Sequence, residues 1–172
     1  MNRFSIKKLT VSSLYELQLL SRRTFYETFW MENKHADMMD YLENELSAEK
    51  LLMEFKNTGS EFYFVMHFDK PVAYLKINYG EAQTEPMGPK AIEIERIYVL
   101  YDYQGFHLGR LLFNKVIDIA KVRNADTIWL GVWELNHKAI YFYKKYGFIE
   151  FGKHNFKLGS DLQTDILMKL QL

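Results

Sequence analysis

The stretch Ile92-Glu93-Ile94-Glu95-Arg96-Ile97-Tyr98-Val99 runs through Leu100-Tyr101-Asp102-Tyr103 into Gln104-Gly105-Phe106-His107-Leu108-Gly109-Arg110. An apolar strand meets a glycine-bearing turn at Gln104 to Gly109. The turn opens a helix from His107 to about Arg123, with an apolar face of Leu108, Leu111, Leu112, Val116, Ile119 and Ala120. The first amides of a helix have no intrahelical partner and the macrodipole is positive there, so such an end suits phosphate or pyrophosphate. Gly105 lets a ligand approach the backbone, Gly109 permits close helix–strand packing, and Arg110 adds a cation. An ordinary βα turn has the same pattern, because short glycine motifs are common. The chain contains no G-x-G-x-x-G, no G-x-x-x-x-G-K-[ST] and no G-x-S-x-G, which sets aside dinucleotide, Walker and hydrolase-elbow sites.

Upstream of this unit, Phe4, Ile6 and Leu9 mark a short strand. Leu14, Leu17, Leu20 and Phe25 follow at helical spacing, with Ser12 or Ser13 as cap and Glu16 in capping-box position. Helices are expected over 36–46 and after Ser47, the latter stopped by Gly59. Glu61 to Phe68 and Val72 to Tyr79 read as a hairpin about Asp69-Lys70-Pro71, and Gly80 to Lys90 as a surface loop. Downstream, Thr127 to Trp133 is a strand, Asn136 to Tyr146 a helix stopped by Gly147, and Phe148 to Phe156 and Thr164 to Leu170 two final strands. This order predicts an α/β protein: one mixed, mostly antiparallel central sheet of about seven strands with helices on both faces, in a single domain over residues 1–172.

Composition bounds the chemistry. The 172 residues are 48% apolar and 26% charged, ordinary values for a globular domain. There is no cysteine, so disulfides, thiol nucleophiles and Cys-type metal sites are excluded, and the five histidines lack metal-ligand spacing. We read all five as surface or structural groups, with His107 set apart by its place at the helix start. Lys plus Arg and Asp plus Glu are both 22, which argues against a nucleic-acid coat or a polybasic membrane binder. No apolar run is long enough to span a bilayer, and Met1 to Lys8 lacks the apolar core of a secretory signal, so a cytoplasmic place is expected. The charge is uneven. Residues 26–61 hold nine acidic side chains against three lysines, and residues 101–157 nine basic against five acidic. The acidic half is suited to attract a cationic substrate, or is simply a set of solvated helix faces.

Two further features bear on chemistry. In Asn136-His137-Lys138-Ala139-Ile140-Tyr141-Phe142-Tyr143, the residues Asn136, Ile140 and Tyr143 share a helix face. Ala139, Phe142 and Tyr146 form a neighbouring stripe for the sheet, which leaves Tyr143 at the core's edge with its phenol available as a proton donor. The plainer reading is a core aromatic and an N-cap asparagine. Glu93 and Glu95 alternate onto one strand face, where one of them accepts a proton from an amine or both pair with Arg96 or a lysine.

Taken together, these motifs resemble the GCN5-related N-acetyltransferases. Ile94 to Val99 with Gln104-x-x-x-x-Gly109 is similar to that family's motif A. Asn136-x-x-Ala139-Ile140-x-Phe142-Tyr143-x-Lys145-x-Gly147-Phe148, about 26 residues on, is similar to its motif B. Thr24 to Phe29, Glu93 to Tyr98, Trp129 to Glu134 and Gln163-Thr164-Asp165 resemble the bacterial PaiA-type spermine/spermidine N-acetyltransferases. The resemblance implies acetyl-CoA as co-substrate, held where two parallel strands splay, and no metal. Ile97, Tyr98 and Val99 would pair with the pantetheine arm. The amides of Gln104, Gly105, Phe106, His107, Leu108, Gly109 and Arg110 would hold the pyrophosphate, and Asn136 would contact the pantetheine region. Tyr143 would protonate the leaving thiolate, with Glu93 as general base and Glu95 as its nearby substitute. The acceptor implied is a primary amine such as spermidine or spermine; a protein N-terminus, a lysine or an aminoglycoside stays open, as does a non-catalytic acetyl-CoA-binding regulator. Neither nucleic acid nor membrane is an expected partner, while exposed aromatics offer a surface for a homodimer. One departure stands out: His107 replaces the middle glycine of motif A, and a first helical turn is expected to tolerate it without positive φ.

Overall fold

A computed structural model describes residues 3–172; Met1 and Asn2, part of the N-terminal stretch read above, lie outside the described residues. The strands are β1 (Phe4–Lys8), β2 (Ser60–His67), β3 (Lys70–Tyr79), β4 (Ala91–Val99), β5 (Thr127–Trp133), β6 (Ile149–Leu158) and β7 (Asp161–Gln171). They form one sheet in the order β1-β2-β3-β4-β5-β7-β6. Every pairing is antiparallel except β4 with β5. The helices α1 (Leu14–Phe29), α2 (His35–Asn44) and α3 (Ala48–Lys56) cover one face, with α1 on β3 and β4 and α3 on β2. On the other face lie α4 (Leu108–Val122), packed on β3 and β4, and α5 (His137–Lys145).

The core explains the placement. Leu17, Leu20 and Phe25 of α1 and Leu108, Leu112 and Val116 of α4 are buried at helical spacing. Strands β3 and β4 lie between these layers, and Val72 to Asn78 and Ala91 to Ile94 are continuously buried, as strands covered on both faces must be.

Local expectations shift where tertiary contacts intervene. Ser13 caps α1 without a side-chain hydrogen bond, because a 3-10 turn at Val11–Ser13 precedes it. Ser47 does cap α3, accepting from the Lys50 amide. That helix ends at Lys56, before Gly59, whose missing Cβ instead makes room for Ala82 and the Tyr79 carbonyl at 2.7 Å. Pro71 lies inside β3, tolerated because the ladder shifts register at Val65/Met66 opposite it. The final hairpin is longer than expected. β6 and β7 meet at a two-residue turn, Gly159-Ser160, and the turn is docked onto α2 where Asp37 accepts from the Ser160 amide at 2.7 Å and its hydroxyl at 3.1 Å.

Gly159 has φ +57, and a Cβ there would collide with the Asp37 carboxylate. Gly159→Ala is therefore expected to cost about 2 kcal/mol, seen in urea melts as a lower midpoint at unchanged slope.

Candidate active site

The parallel pairing of β4 with β5 lasts for three residues, Ala91 to Glu93 against Thr127 to Trp129. Beyond it the strands part. On the far side of β4 the ladder to β3 continues to Val99, but with a bulge: Lys76 pairs with Arg96 and Ile77 with Ile94, so Glu95 is the extra residue. The backbone edge of β4 after Glu93 consequently faces β5 unpaired, and two cavities occupy the opening.

The first, about 320 Å³, is walled by aromatic rings including Phe29, Tyr74, Tyr98, Trp129 and Trp133, and receives Glu93, Glu95 and Asp165. The second, about 360 Å³, runs along Ile97 to Val99 and the Gln104–Arg110 turn toward Phe142 and Tyr146, with Arg110, Lys138 and Lys145 as its cations. Ile97, Tyr98, Asn136, Ala139 and Tyr143 line both, so the cavities meet at the start of α5.

The turn is shaped for an anion. Gly105 has φ +90 and His107 φ +59, and α4 begins at Leu108. The Gln104 amide, expected to belong to the set, is instead taken by the preceding turn, donating to Tyr101 O at 3.1 Å; among the described residues, the amides from Gly105 to Arg110 donate to no protein acceptor, and the next one engaged is Leu111, on His107 O. Consecutive free N–H groups around left-handed residues form a nest for phosphate-like oxygens. The expectation that His107 avoids positive φ is corrected here: it is the N-cap of α4, outside the first helical turn, and sits in the left-handed region, two residues after the left-handed Gly105. Its side chain is exposed. Phe106 contributes only its amide, since its ring turns away and packs on Phe4. Gly109 faces Phe142 of α5, so the close packing it allows is helix on helix and not helix on strand.

Tyr143 is more buried than expected, at 5% exposure, and burial raises its phenol above the ordinary value. It and Ile140 form the buried face of α5, while Phe142 and Tyr146 pack as the flanking stripe, with Tyr146 against Phe113 of α4. The Tyr143 hydroxyl has no hydrogen-bond partner among the described residues, although the ring lines both cavities. Asn136 caps α5, accepting from the Ala139 amide at 3.1 Å.

The two glutamates of β4 differ sharply. Glu95 joins a buried cluster in which Lys76 lies 2.6 Å and Arg96 3.2 Å away, and Glu54 pairs with the same two cations. Burial opposes ionisation of Glu95, but Arg96 and Lys76 outweigh it and hold the carboxyl below its ordinary value. Glu93 is 3% exposed and has no cation partner. Its oxygens accept from Asn78 Nδ2 at 3.0 Å, from the Thr84 amide at 2.9 Å and from the Thr84 hydroxyl. Burial raises its carboxyl and these hydrogen bonds offset that only in part. Thr84 belongs to the Gly80–Lys90 loop, so the loop is anchored against the cavity; Gln83 strengthens the anchor by accepting from Trp129 Nε1 at 2.8 Å.

Other cavity groups escaped the sequence. His154, read as surface or structural, lines the cavity with Asp165. The signal was the Gly159-Ser160 turn: a two-residue loop fixes the register that sets His154 opposite Asp165. The acidic segment, by contrast, is largely spent on internal contacts. Glu27 pairs with Arg23, Glu43 with Arg22, Glu45 with Lys50, Glu54 with Lys76 and Arg96, and Glu61 with Lys8 and Arg123.

Comparison with known proteins agrees with this geometry. Residues 15–148 match the acetyltransferase (GNAT) family. A relative from Lactobacillus delbrueckii subsp. lactis, named as an N-acetyltransferase, is 38% identical over 97% of this chain and 96% of its own length. One from Mycobacterium tuberculosis, similarly named, is 35% identical over 91% and 96%. Among solved structures, the PaiA N-acetyltransferase of Thermoplasma acidophilum, in complex with coenzyme A, superposes with a TM-score of 0.79 at 19% identity, covering 98% and 99% of the two chains. The ribosomal-protein-S18-alanine N-acetyltransferase of Escherichia coli does so with 0.73 at 19%, covering 98% and 93%. The chain belongs to the GNAT family, and its class is acetyl-CoA-dependent N-acetyltransferase. No helix among the described residues is long and apolar enough to cross a membrane, and no group of three or more metal-ligating side chains occurs among them.

Three outcomes follow for stability. A lowered carboxyl such as Glu95 stabilises the fold above its ordinary titration range and loses that contribution as pH falls through the folded value. A raised one such as Glu93 costs stability progressively as pH rises above its ordinary titration range, and in full once pH exceeds its folded value. At pH 7, Glu95→Gln is expected to cost about 3 kcal/mol, with the deficit shrinking in melts at pH 4. Glu93→Gln, which keeps a carbonyl for Asn78 and the Thr84 amide, stays within about 1 kcal/mol of the parent or above it. His107→Gly is expected to stabilise by about 1 kcal/mol in the same melts, because glycine relieves the left-handed backbone.

Proposed function

We propose that the protein transfers the acetyl group of acetyl-CoA to a primary alkylamine that enters as a cation, with polyamines such as spermidine or spermine as the favoured acceptors. The observation that carries this reading is the junction of the two cavities at Tyr143, Asn136 and the unpaired edge of β4. In this reading the Gly105–Arg110 amides hold the diphosphate, with Gln104 and Arg110 flanking it, and the Ile97–Val99 backbone and Asn136 hold the pantetheine arm. The thioester then lies at the junction, and the acceptor enters through the aromatic cavity.

The residues supply a proton path for direct transfer. An alkylammonium is mostly protonated at neutral pH, so its proton must leave before the nitrogen attacks. Glu93, raised by burial and free of any cation partner, takes that proton directly or through water. Glu95 is unsuited to the role, since Lys76 and Arg96 hold it ionised. The neutral nitrogen forms its bond to the carbonyl carbon and releases its second proton to water, the carbon–sulfur bond breaks, and the Tyr143 phenol gives its proton to the departing thiolate and regains one from solvent. Its raised value keeps that phenol protonated until then. Holding both reactants at one junction supplies most of the acceleration through proximity. Aromatic walls favour an organic cation. The polyamine preference draws on the PaiA-type resemblance and not on the acidic segment, whose carboxylates are mostly paired.

The test is thiol release from acetyl-CoA with spermidine, spermine, a lysine peptide, an N-terminal peptide and an aminoglycoside. Turnover confined to the polyamines is expected; turnover confined to another amine would discard the polyamine reading. Tyr143→Phe should lower kcat about 100-fold with little change in acetyl-CoA binding, and an unchanged kcat would remove the tyrosine from the mechanism.

A further inference from the structure

The acceptor cavity holds two carboxylates that no Lys or Arg neutralises, and they sit in different places. Glu93 is on β4, next to the junction. Asp165 is on β7, beyond β5 and opposite Trp133, four residues further along the sheet than Trp129, which lies level with Glu93; the two backbones are on the order of 15 Å apart, and both side chains reach the one cavity. The other cavity carboxylate, Glu95, belongs with Glu54 to a cluster balanced by Lys76 and Arg96.

Asp165 lacks the partners a buried carboxylate ordinarily has. Its side chain is 20% exposed and accepts no hydrogen bond from any described residue; the nearest cationisable group is His154, whose Nε2 is 3.8 Å from Oδ2. Burial raises its carboxyl and His154 offsets this in part. The other nitrogen of the same ring, His154 Nδ1, is buried without a hydrogen-bond partner, although Glu85 Oε1 of the anchored loop lies 3.3 Å away. An orphaned ring nitrogen between two under-used carboxylates marks a polar site with a partner missing. Gly131 borders this site. It lies on β5 beside Asp165, and a Cβ there would stand 3.5 Å from Oδ2. Tyr74, 1% exposed, lines the same cavity, and its hydroxyl has no partner among the described residues.

We propose that Asp165, with Glu85 and His154, binds a second, non-reacting cation of the acceptor. The enzyme would thus select diamines and longer polyamines over monoamines of equal length. The proposal rests on the acetyl-transfer reading above and adds to it the residues that set acceptor choice. The reacting nitrogen lies at the Glu93 end, the apolar methylenes cross the aromatic walls, and the remote ammonium reaches Asp165. A charged hydrogen bond to a half-buried carboxylate without a hydrogen-bond partner is the kind of contact that discriminates, because a ligand lacking the ammonium leaves the carboxylate unpaired.

The experiment compares 1,4-diaminobutane and spermidine with n-pentylamine, in which a methyl group replaces the second ammonium of diaminobutane. Steady-state kcat/KM and calorimetric binding to the enzyme with CoA are measured in parallel. The parent is expected to prefer the diamine at least 10-fold. Asp165→Asn should reduce that preference at least 10-fold, mainly through KM, and Glu85→Gln, on the exposed loop, should reduce it less and in the same direction. Equal use of both amines by the parent, or an equal loss for both in Asp165→Asn, would overturn the subsite. If no amine is acetylated, the acetyl-transfer reading itself fails; calorimetry still tests the subsite, since diamine binding weakened by Asp165→Asn supports it and binding indifferent to Asp165 overturns it.

Discussion

Everything in the site depends on where β4 leaves β5. Parallel pairing stops at Glu93 and Trp129, and the bulge at Glu95 turns the next residues of β4 away from their neighbour. The buried group of Lys76, Arg96, Glu54 and Glu95 surrounds that bulge. Two cations and two carboxylates arranged this closely compensate one another's desolvation, which none of them achieves alone. The cluster fixes the extra residue in place and leaves a strand edge with unmade hydrogen bonds. In a sheet interior such an edge is costly. Here it borders the two cavities.

The same strand shows how environment divides chemistry between like residues. Glu93 and Glu95 both reach the Asn78 side chain, yet one is raised and the other lowered. Glu95 is surrounded by cations and Glu93 by neutral donors. Separated in this way, one carboxylate braces the bulge while the other stays available to take up a proton. Thr84 ties that second carboxylate to the Gly80–Lys90 loop, so the segment that walls the acceptor cavity is held by the group that would act on the acceptor.

Much was legible before any coordinates. The apolar spacing of Leu14 to Phe25 and of Leu108 to Ala120 gave both major helices, and Ser47 and Gly147 marked a start and a stop. Gln104 to Gly109 and Asn136 to Tyr143 identified the turn and the helix that border the second cavity. What misled was local inference at positions governed by neighbours. Gly59 suggested a helix stop but is needed for its contact with Ala82. Ser13 suggested a capping box, but a preceding 3-10 turn takes the chain elsewhere. His107 carries no glycine-like signal, yet it holds the left-handed conformation that the nest requires.

The order of elements, the glycine-bearing turn before α4 and the family are written in the chain alone, because they rest on residues close together in sequence whose periodicity and motif spacing are local properties. Long-range pairing settles which carboxylate lacks a cation, that Tyr143 is buried at the meeting of two cavities, and that His154 and Asp165 lie opposite each other in the aromatic cavity. Those facts depend on register, on a bulge and on desolvation, and each comes from pairing between segments far apart in sequence. A carboxylate's chemistry is set by what surrounds it, and the neighbours of Glu93 and Asp165 are assembled only when the sheet forms.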